Sequence, residues 1–428
     1  MPAAAASPGR SKALATATTY FAEGFPWSLL HQVAGEFFTG VGLSATAVGR
    51  TSYLHAGTSF KVLVSPIVDL VGTLRGWMVA LQVLMGAVVG AIGLVAARSD
   101  LDEGAVAVVW VLLAVLSFFS ATHDIACDGY YMEMLDAREQ ARYSGLRVAA
   151  FRLAMLAGSG GIVFIGGHVG WRSAFGLAAA VLVALGLAHA LFLPRSRPGG
   201  GGRGGKARHV REAYRTFLRQ RRVVAVIAFL VTYKMSDAVL FSMSKVLLAR
   251  SLGVPTDVRG MINVPSILAA IAGAVVGGAW IARVGLRRAL WPVTLAMALT
   301  QPLYALMAEF AGRLAVADPQ TVASLADLDL AHAVGRLAII TLVVIVEQFC
   351  GGLATAAQMV FIMRRCHPDH KAAHFAFATA VYSTAQMLVG GESGTLYDAV
   401  GPVAYFWIAS ALAVPALLLV PFVPKDDV

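Results

Sequence analysis

Charged residues are scarce in this chain. Asp, Glu, Lys and Arg make up only 14% of its 428 residues, whereas soluble proteins carry about 25%. Hydrophobic residues account for 58% of the chain, and the mean hydropathy is +0.72. This balance excludes a soluble globular protein and predicts an all-α integral membrane protein.

Cysteine and nucleotide-binding signatures are also rare or missing. The three cysteines, Cys127, Cys350 and Cys366, lie outside the predicted outer loops, and their spacing matches no metal site. We therefore expect neither an exported disulfide nor a bound metal. No G-x-x-x-x-G-K-[ST] motif occurs, which excludes ATP coupling through a phosphate-binding loop. We expect no cofactor.

Apolar segments recur along the chain at lengths that can cross a bilayer. A spanning helix needs about 20 predominantly apolar residues. Twelve such segments are predicted: 14–38, 46–71, 76–97, 105–134, 140–167, 172–193, 221–250, 256–283, 288–311, 335–364, 370–397 and 402–423.

A Gly- and Arg-rich stretch divides these spans six and six. The predicted organisation is a cytoplasmic tail at 1–13, an N-terminal six-helix bundle at 14–193, a cytoplasmic linker at 194–220, a C-terminal six-helix bundle at 221–423 and a tail at 424–428. The 43 glycines suit close helix packing in lipid.

The two halves carry matching patterns. FAEGFPW (21–27) aligns with KMSDAVL (234–240) at one offset, and a slightly longer offset pairs Cys127 with Cys350 and Gly129 with Gly352. Parallel repeats of this kind predict two six-helix halves around a central cavity.

Positive charge is distributed unevenly. The net charge of +10 could indicate a nucleic-acid partner. However, of the 34 Lys and Arg residues, seven fall in predicted outer loops and five at membrane depth. All the others fall in predicted cytoplasmic segments. This positive-inside bias predicts cytoplasmic termini and contact with anionic lipid, and it argues against nucleic acid.

The segment SATHDIACDGYYMEML (120–135) places two carboxylates inside an apolar span. Asp124 and Asp128 are four residues apart and share one helix face. A carboxylate at mid-membrane costs roughly 2.5–3.5 kcal/mol, so the pair indicates a face that meets water, a partner charge or a solute. For either Asp alone, a helix-end position near the headgroups remains an alternative.

Further ionisable groups are predicted at membrane depth. The acids are Glu23, Asp237 and Glu347, and the cations that could bind an anionic solute are Lys61, Arg147, Arg152 and Lys234, with Gln348 as an added polar candidate. An acid whose charge depends on a displaceable cation can couple to protons. We predict coupling through Asp124 and Asp128, with the other three acids as alternatives. Arg152 could instead form a structural salt bridge.

Several motifs resemble those of a known family. GGAWIARVGLRR (277–288) has the form of the inner loop of major facilitator transporters, and KVLVSPIVDLVGTLRGW (61–77) keeps the acid, Asp69, at the equivalent position. FAEGFPW, SATHDIACDGYYMEML and EQFCGGLATAAQMVFIMRR (347–365) resemble the AmpG-type muropeptide permeases, to which the acetyl-coenzyme A transporters are related.

The resemblance implies a major facilitator fold and proton-coupled uptake of anhydro-muropeptides through the bacterial inner membrane. It also implies an inner gate in which Asp69 is locked by basic residues, with Arg75, Arg283 and Arg287 as the candidates.

Other functions remain as alternatives. The transported or exported solute could be an acyl-coenzyme A, a peptide, a sugar or a drug-like molecule, and a non-transporting scaffold would keep the same fold. A membrane transferase using His123 and Asp124 is disfavoured because adjacent residues point about 100° apart on a helix. We expect a monomeric transporter, without enzymatic activity, whose partners are a small solute, protons and the bilayer.

Overall fold

The computed structural model describes residues 8–59, 64, 67–68, 71–98, 101–195, 214–318, 324–367 and 371–424. These residues form helices and turns with no strand among them, in agreement with the predicted all-α class. Contacts divide the chain into two compact units. The first contains Met1–Phe37 and Leu54–Gly201, and the second contains Phe38–Tyr53 and Gly202–Val428.

Six helices, α1 to α6, occupy the first half of the described chain. Their bounds are α1 Pro8–Ser28 continuing through Leu29–Val33 and Ala34–Gly40; α2 Ala45–Arg50, Thr51–His55 and Ala56–Ser59; α3 Leu74–Val95; α4 Glu103–Met134; α5 Ala137–Met155 continuing through Leu156–Ile162 and Val163–His168; and α6 Trp171–Phe192.

Six more helices, α7 to α12, follow the linker. Their bounds are α7 Val223–Tyr233, Met235–Val246 and Leu247–Ser251; α8 Thr256–Val284; α9 Leu286–Glu309; α10 Leu330–Arg364; and α11 and α12, which form one stretch, Lys371–Ala411, divided at Gly401 and followed by Val414–Leu419. Shorter helical turns are Ala311–Leu314 and Leu325–Asp327.

Local signals account for several helix ends. The Asp102 carboxylate accepts a hydrogen bond from the backbone N–H of Ala105 at 2.7 Å and caps α4. Asp136 and Glu139 form a capping box that starts α5. Gly285 separates α8 from α9 with a φ of +82°, a backbone conformation that glycine adopts without strain.

Most of the predicted spans are present. Nine described stretches are long and apolar enough to cross a membrane, and they cover ten predicted spans because His374–Leu419 contains two. The predicted span 14–38 is helical throughout but lies outside these nine, and its many threonines and Glu23 make it less apolar. The predicted span 46–71 is helical to Ser59, and part of it lies outside the described residues.

Paired helices form the core of each unit. In the first unit α3 packs along α6 and α1 along α5, and in the second unit α8 packs along α10. The last pair approaches through two glycines. A Cβ on Gly273 would overlap the Phe349 carbonyl oxygen, and one on Gly352 would overlap that of Ala270.

The segment Phe38–Tyr53 belongs to the second unit, whereas the predicted N-terminal bundle, 14–193, included it. The reason is a close contact with α11. The Thr46 hydroxyl donates a hydrogen bond to the Asp398 carboxylate at 2.8 Å, and the Tyr53 hydroxyl donates to Glu392. Gly394 allows this approach because a Cβ there would overlap the Ala45 carbonyl oxygen.

The predicted linker 194–220 lies mostly outside the described residues. Its last part is helical at 214–218, and Phe217 is fully buried against His374 and Phe377. The Gln220 amide donates a hydrogen bond to the Arg365 carbonyl oxygen at 2.8 Å. This end of the linker is therefore packed against the second unit.

Candidate functional site

Two clusters of charged side chains lie inside the protein, one in each unit. In the first unit α4 carries Asp128, whose carboxylate lies 2.8 Å from the Arg147 guanidinium of α5. The Tyr20 hydroxyl of α1 donates a hydrogen bond to the same carboxylate at 2.8 Å. Asp128 thus joins three helices through one ion pair and one hydrogen bond.

Aromatic rings hold Arg147 in this position. Its guanidinium lies 4.3 Å from the centre of the Tyr20 ring and 5.6 Å from that of Tyr131. The two tyrosine rings pack edge to face, and the Tyr131 hydroxyl donates to the Gln140 carbonyl oxygen. Stacked cations and bonded carboxylates of this kind have restricted movement, so the geometry favours a positioning role for Arg147.

Glu23 of α1 lies beside this cluster. Carboxylate oxygens of Glu23, Asp124 and Asp128 all lie within 4.8 Å of one another. Glu23 is buried, with 8% of its surface exposed, and Asp124 and Asp128 are partly buried. Like charges at this distance repel in a low-dielectric interior. The Arg147 guanidinium offsets part of this negative charge. The sequence analysis had named all three of these acids as candidates for proton coupling.

A cavity of about 190 Å³ opens beside these acids. It lies within the first unit and is lined by residues of α1, α4 and α5, including Glu23, Trp27, His31, Asp124 and Phe151. Carboxylates lie beside aromatic rings in this cavity, and the serines of α4 add hydroxyl groups.

The second unit contains a smaller and more deeply buried cluster of charged side chains. The Lys234 ammonium lies 3.1 Å from the Asp237 carboxylate and donates to the Gly351 carbonyl oxygen at 3.2 Å. Glu347 of α10 is only 2% exposed, and it accepts a hydrogen bond from the Gln348 amide at 2.9 Å. Atoms of Lys234, Asp237 and Glu347 all lie within 4 Å of where a Cβ on Gly351 would stand.

A break in α7 positions Lys234. The residue has φ −110° and ψ 13°, outside helical values, and separates Val223–Tyr233 from Met235–Val246. The Gln386 amide of α11 donates a hydrogen bond to the Lys234 carbonyl oxygen at 3.5 Å. Lys234 and Asp237, both predicted as ionisable groups at membrane depth, form an ion pair with each other, although the helix break at Lys234 was not foreseen.

The two clusters are related by the internal repeat. The offset that pairs Cys127 with Cys350 also pairs Asp124 with Glu347. In each unit an acid of the fourth helix of its half therefore lies near an acid of the first helix, Glu23 in one unit and Asp237 in the other. In the second unit the described residues also include a lysine close to both acids, Lys234.

His123 has a structural environment. It is fully buried and lies 2.9 Å from the Gln82 amide, which in turn lies 2.9 Å from His189. This network joins α3, α4 and α6, whereas Asp124 lines the cavity beside α1 and α5, which His123 does not line. The alternative of a His-Asp transferase therefore has no geometric support.

The remaining predicted residues have varied surroundings. Arg152 is partly buried, and its guanidinium bonds the Met155 sulfur at 3.5 Å without an ion pair to any carboxylate in the described chain. Arg75 donates to the Ala190 carbonyl oxygen. Arg283 and Arg287 are exposed on either side of Gly285. Lys61 and Asp69 lie outside the described residues, so their predicted roles remain predictions.

Sequence reasoning missed several residues of these clusters. Tyr20, Trp27 and His31 occupy the acid cluster or its cavity although they are ordinary residues for a membrane helix. Gly351 could have been found from the repeat, because it occupies the position equivalent to Asp128.

Comparison with known proteins agrees with this architecture. The sequence matches the family model of the Major Facilitator Superfamily over residues 13–326. It is 26% identical to the anhydromuropeptide permease of Escherichia coli (strain K12) over 414 residues, which are 93% of this chain and 77% of that protein. A putative AmpG-type transporter of Rickettsia conorii is 21% identical and covers 88% of this chain and 86% of its own length.

Solved structures give the same fold. A D-xylose-proton symporter superposes with a TM-score of 0.68 at 14% identity, over 97% of this chain and 98% of its own. A nucleoside transporter superposes with a TM-score of 0.67 at 13% identity, over 96% and 98%. The predicted resemblance to the muropeptide permeases is confirmed, and the protein is a multi-pass membrane transporter of small solutes rather than an enzyme. The chain belongs to the Major Facilitator Superfamily.

Proposed function

We propose that this secondary transporter takes up an anionic solute such as an anhydro-muropeptide together with protons, by alternating access, across the bacterial inner membrane. The uneven distribution of Lys and Arg supports cytoplasmic termini. The name of the Escherichia coli relative supports the solute, since that protein is an anhydromuropeptide permease.

The observation that supports proton coupling is one ammonium group that lies close to two carboxylates, the partly buried Asp237 and the buried Glu347. Lys234 neutralises one negative charge, and Asp237 lies 3.1 Å from it. Glu347 is more deeply buried and lies close to both. A second buried negative charge without its own cation is costly. Protonation of Glu347 removes this cost, so the cluster favours one bound proton.

Release of this proton requires a change in the surroundings of Glu347. Water or a second cation beside the carboxylate would stabilise its charged form, and renewed burial would favour proton uptake. A helix movement that alternately hydrates and buries Glu347 would therefore exchange one proton per cycle. We assign coupling to Glu347, one of the five acids predicted from the sequence.

The anionic part of the solute has a candidate partner in Arg152. This guanidinium lies in a membrane-spanning stretch and makes no ion pair with a described carboxylate. Arginine binds carboxylates through two parallel hydrogen bonds. Arg147 is a weaker candidate because Asp128 already occupies its guanidinium.

Uptake into proteoliposomes tests this function. Purified protein is reconstituted, and a labelled anhydro-muropeptide is supplied with an imposed pH gradient, acidic outside. We expect accumulation above the external concentration, which a protonophore abolishes. Acyl-coenzyme A, peptides and sugars serve as competitors. Accumulation that is unchanged by the protonophore would contradict proton coupling. If one of the competitors blocks uptake efficiently while unlabelled muropeptide does not, the muropeptide assignment is wrong.

A further inference from the structure

The second unit buries a polar side chain that has no hydrogen-bond partner among the described residues. Gln301 of α9 is fully buried, and neither its Oε1 nor its Nε2 bonds any of those residues. Burying an amide without hydrogen bonds costs free energy. Gln82 of α3 is equally buried, but its amide group lies 2.9 Å from His123 and 2.9 Å from His189. Gln301 therefore has a hydrogen-bonding capacity that this structure leaves unused.

The packing of α9 against α10 determines what lies near Gln301. Met297, one turn before it, shares a hydrophobic core cluster with Ala354 of α10. Tyr304, one turn after it, is close enough to Glu347 of α10 for the two groups to interact electrostatically. Residues in ascending order along α9 thus meet residues in descending order along α10. Gln301 lies between these two contacts.

The part of α10 between the same two contacts bears the charged cluster of the second unit. Gly351 lies there, and a Cβ placed on it would be within 4 Å of atoms of Lys234, Asp237 and Glu347. The residues of α9 that make the two contacts are on its buried face, and Gln301 is on that face too. Gln301 therefore lies on the helix face, and at the height along the helix, where α9 approaches the charged cluster.

Glu347 is the member of this cluster that needs further hydrogen-bond donors. Lys234 and Asp237 bond each other at 3.1 Å. The described residues give the Glu347 carboxylate one hydrogen bond, from the Gln348 amide to Oε2 at 2.9 Å. An ionised carboxylate has about four acceptor sites, so loss of the proton from Glu347 requires donors beyond this one. The Nε2 group of Gln301 carries two N–H donors.

We propose that Gln301 is a positioning residue for proton release from Glu347, and that its amide donates a hydrogen bond to the Glu347 carboxylate when that group is ionised. The inference rests on the proposed assignment of proton coupling to Glu347. Loss of the proton changes Glu347 from a hydrogen-bond donor into an acceptor, and the new bond then satisfies both buried groups at once. The other titratable groups of the described chain that interact with Glu347 are Lys234, Asp237, Tyr304 and Cys350.

A titration of Glu347 tests this role without any transport assay. The full chain is purified in detergent, and infrared difference spectroscopy records the carbonyl stretch of its protonated carboxyl groups as the pH is raised. The part of this band that is missing in Glu347→Gln reports Glu347 alone. Gln301→Met removes the amide with little change in volume, and the ionised carboxylate then loses a donor. We expect half of the Glu347 signal to disappear at a pH about one unit or more above that of the wild type, which is a tenfold change in proton dissociation.

Gln82→Met is the matched control for this measurement. It removes the amide of an equally buried glutamine in the first unit, together with its contacts to His123 and His189. We expect this variant to unfold at a lower temperature but to leave the Glu347 titration unchanged. Loss of stability by itself would then not account for a shift in Gln301→Met. Gln301→Leu gives the same measurement if Gln301→Met fails to fold.

The outcomes separate this inference from the proposed function. Titration of Glu347 in the Gln301 variants at the same pH as in the wild type, or at a lower pH, would overturn the role of Gln301 and leave coupling through Glu347 standing. A carboxyl band that does not depend on Glu347 at any pH would overturn both. A shifted titration in a protein without proton-coupled uptake in proteoliposomes would support the role of Gln301 and contradict the proposed function.

Discussion

The Lys234 ammonium nitrogen lies 3.1 Å from a carboxylate oxygen of Asp237, one turn along α7, and also bonds the Gly351 carbonyl oxygen of α10. These contacts occupy the lysine, and the described residues give the neighbouring Glu347 no ion pair of its own. Our proposal of proton coupling in the second unit rests on this unequal sharing of one positive charge.

Replacing Glu347 with glutamine should separate coupling from translocation. The amide keeps the shape of a protonated carboxyl group but cannot release a proton. We expect Glu347→Gln to lose accumulation driven by a pH gradient while it still exchanges external for internal labelled solute. Exchange assays with solute on both sides of the membrane provide the comparison. A variant that still concentrates the solute would place coupling elsewhere.

Removing the shared cation should destabilise the second unit. Lys234→Met leaves the Asp237 carboxylate without its ion-pair partner beside the buried Glu347. Breaking a buried ion pair costs about 3–5 kcal/mol, which is an upper bound for this partly buried pair. We expect a lower thermal midpoint in Lys234→Met and partial recovery in the double variant Lys234→Met with Asp237→Asn. Thermal unfolding in detergent of the wild type, the two single variants and the double variant gives the coupling energy between the two side chains. Additive effects of the two substitutions would indicate that the pair does not interact.

Glycine at the α8–α10 contact should tolerate no side chain. A Cβ on Gly273 would overlap the Phe349 carbonyl oxygen, whereas the space around Gly278 on the same helix is open. We expect Gly273→Ala to lower stability by about 1–3 kcal/mol. Gly278→Ala should be neutral or stabilising by about 0.5–1 kcal/mol. Thermal midpoints of the two variants decide this, and equal effects would refute the close approach of the helices.

An ion pair outside the spanning stretches should respond to pH. Lys12 and Glu139 lie 2.6 Å apart and join α1 to α5. The hydrogen bond with Glu139 raises the pKa of Lys12 above 10.5. The same hydrogen bond, and next to it the hydrogen bond from the Asp136 backbone, lowers the pKa of Glu139 below 4.5.

The stabilisation from this pair should therefore be constant between about pH 4.5 and 10.5 and decline outside that range. Glu139→Gln removes the charge and keeps the capping box. We expect the difference in thermal midpoint between wild type and variant to shrink as the pH falls through the lowered pKa of Glu139. A difference that grows on acidification would contradict the ion pair.

The sequence predicted the helices well because a run of about twenty apolar residues is sufficient by itself to indicate a membrane-spanning helix. It also identified most of the charged residues in the two clusters. It did not reveal their partners, since Tyr20 and Asp128 are 108 residues apart and meet only through packing of α1 against α4. Periodicity contains no information on such contacts.

Other differences have equally specific causes. Lysine is a good helix former, so nothing in the sequence marked the break at Lys234. The predicted bundle boundary placed Phe38–Tyr53 in the N-terminal half because chain order was the only guide. Its packing on α11 depends on Gly394 and on hydrogen bonds from Thr46 and Tyr53.

Movement of protons driven by the solute tests proton coupling most directly. Proteoliposomes containing a pH-sensitive dye, at equal pH on both sides and with the membrane potential clamped, receive external anhydro-muropeptide. We predict acidification of the interior in step with solute uptake by the wild type, and no acidification with Glu347→Gln. Uptake of labelled solute by the wild type without any change in internal pH would contradict the account.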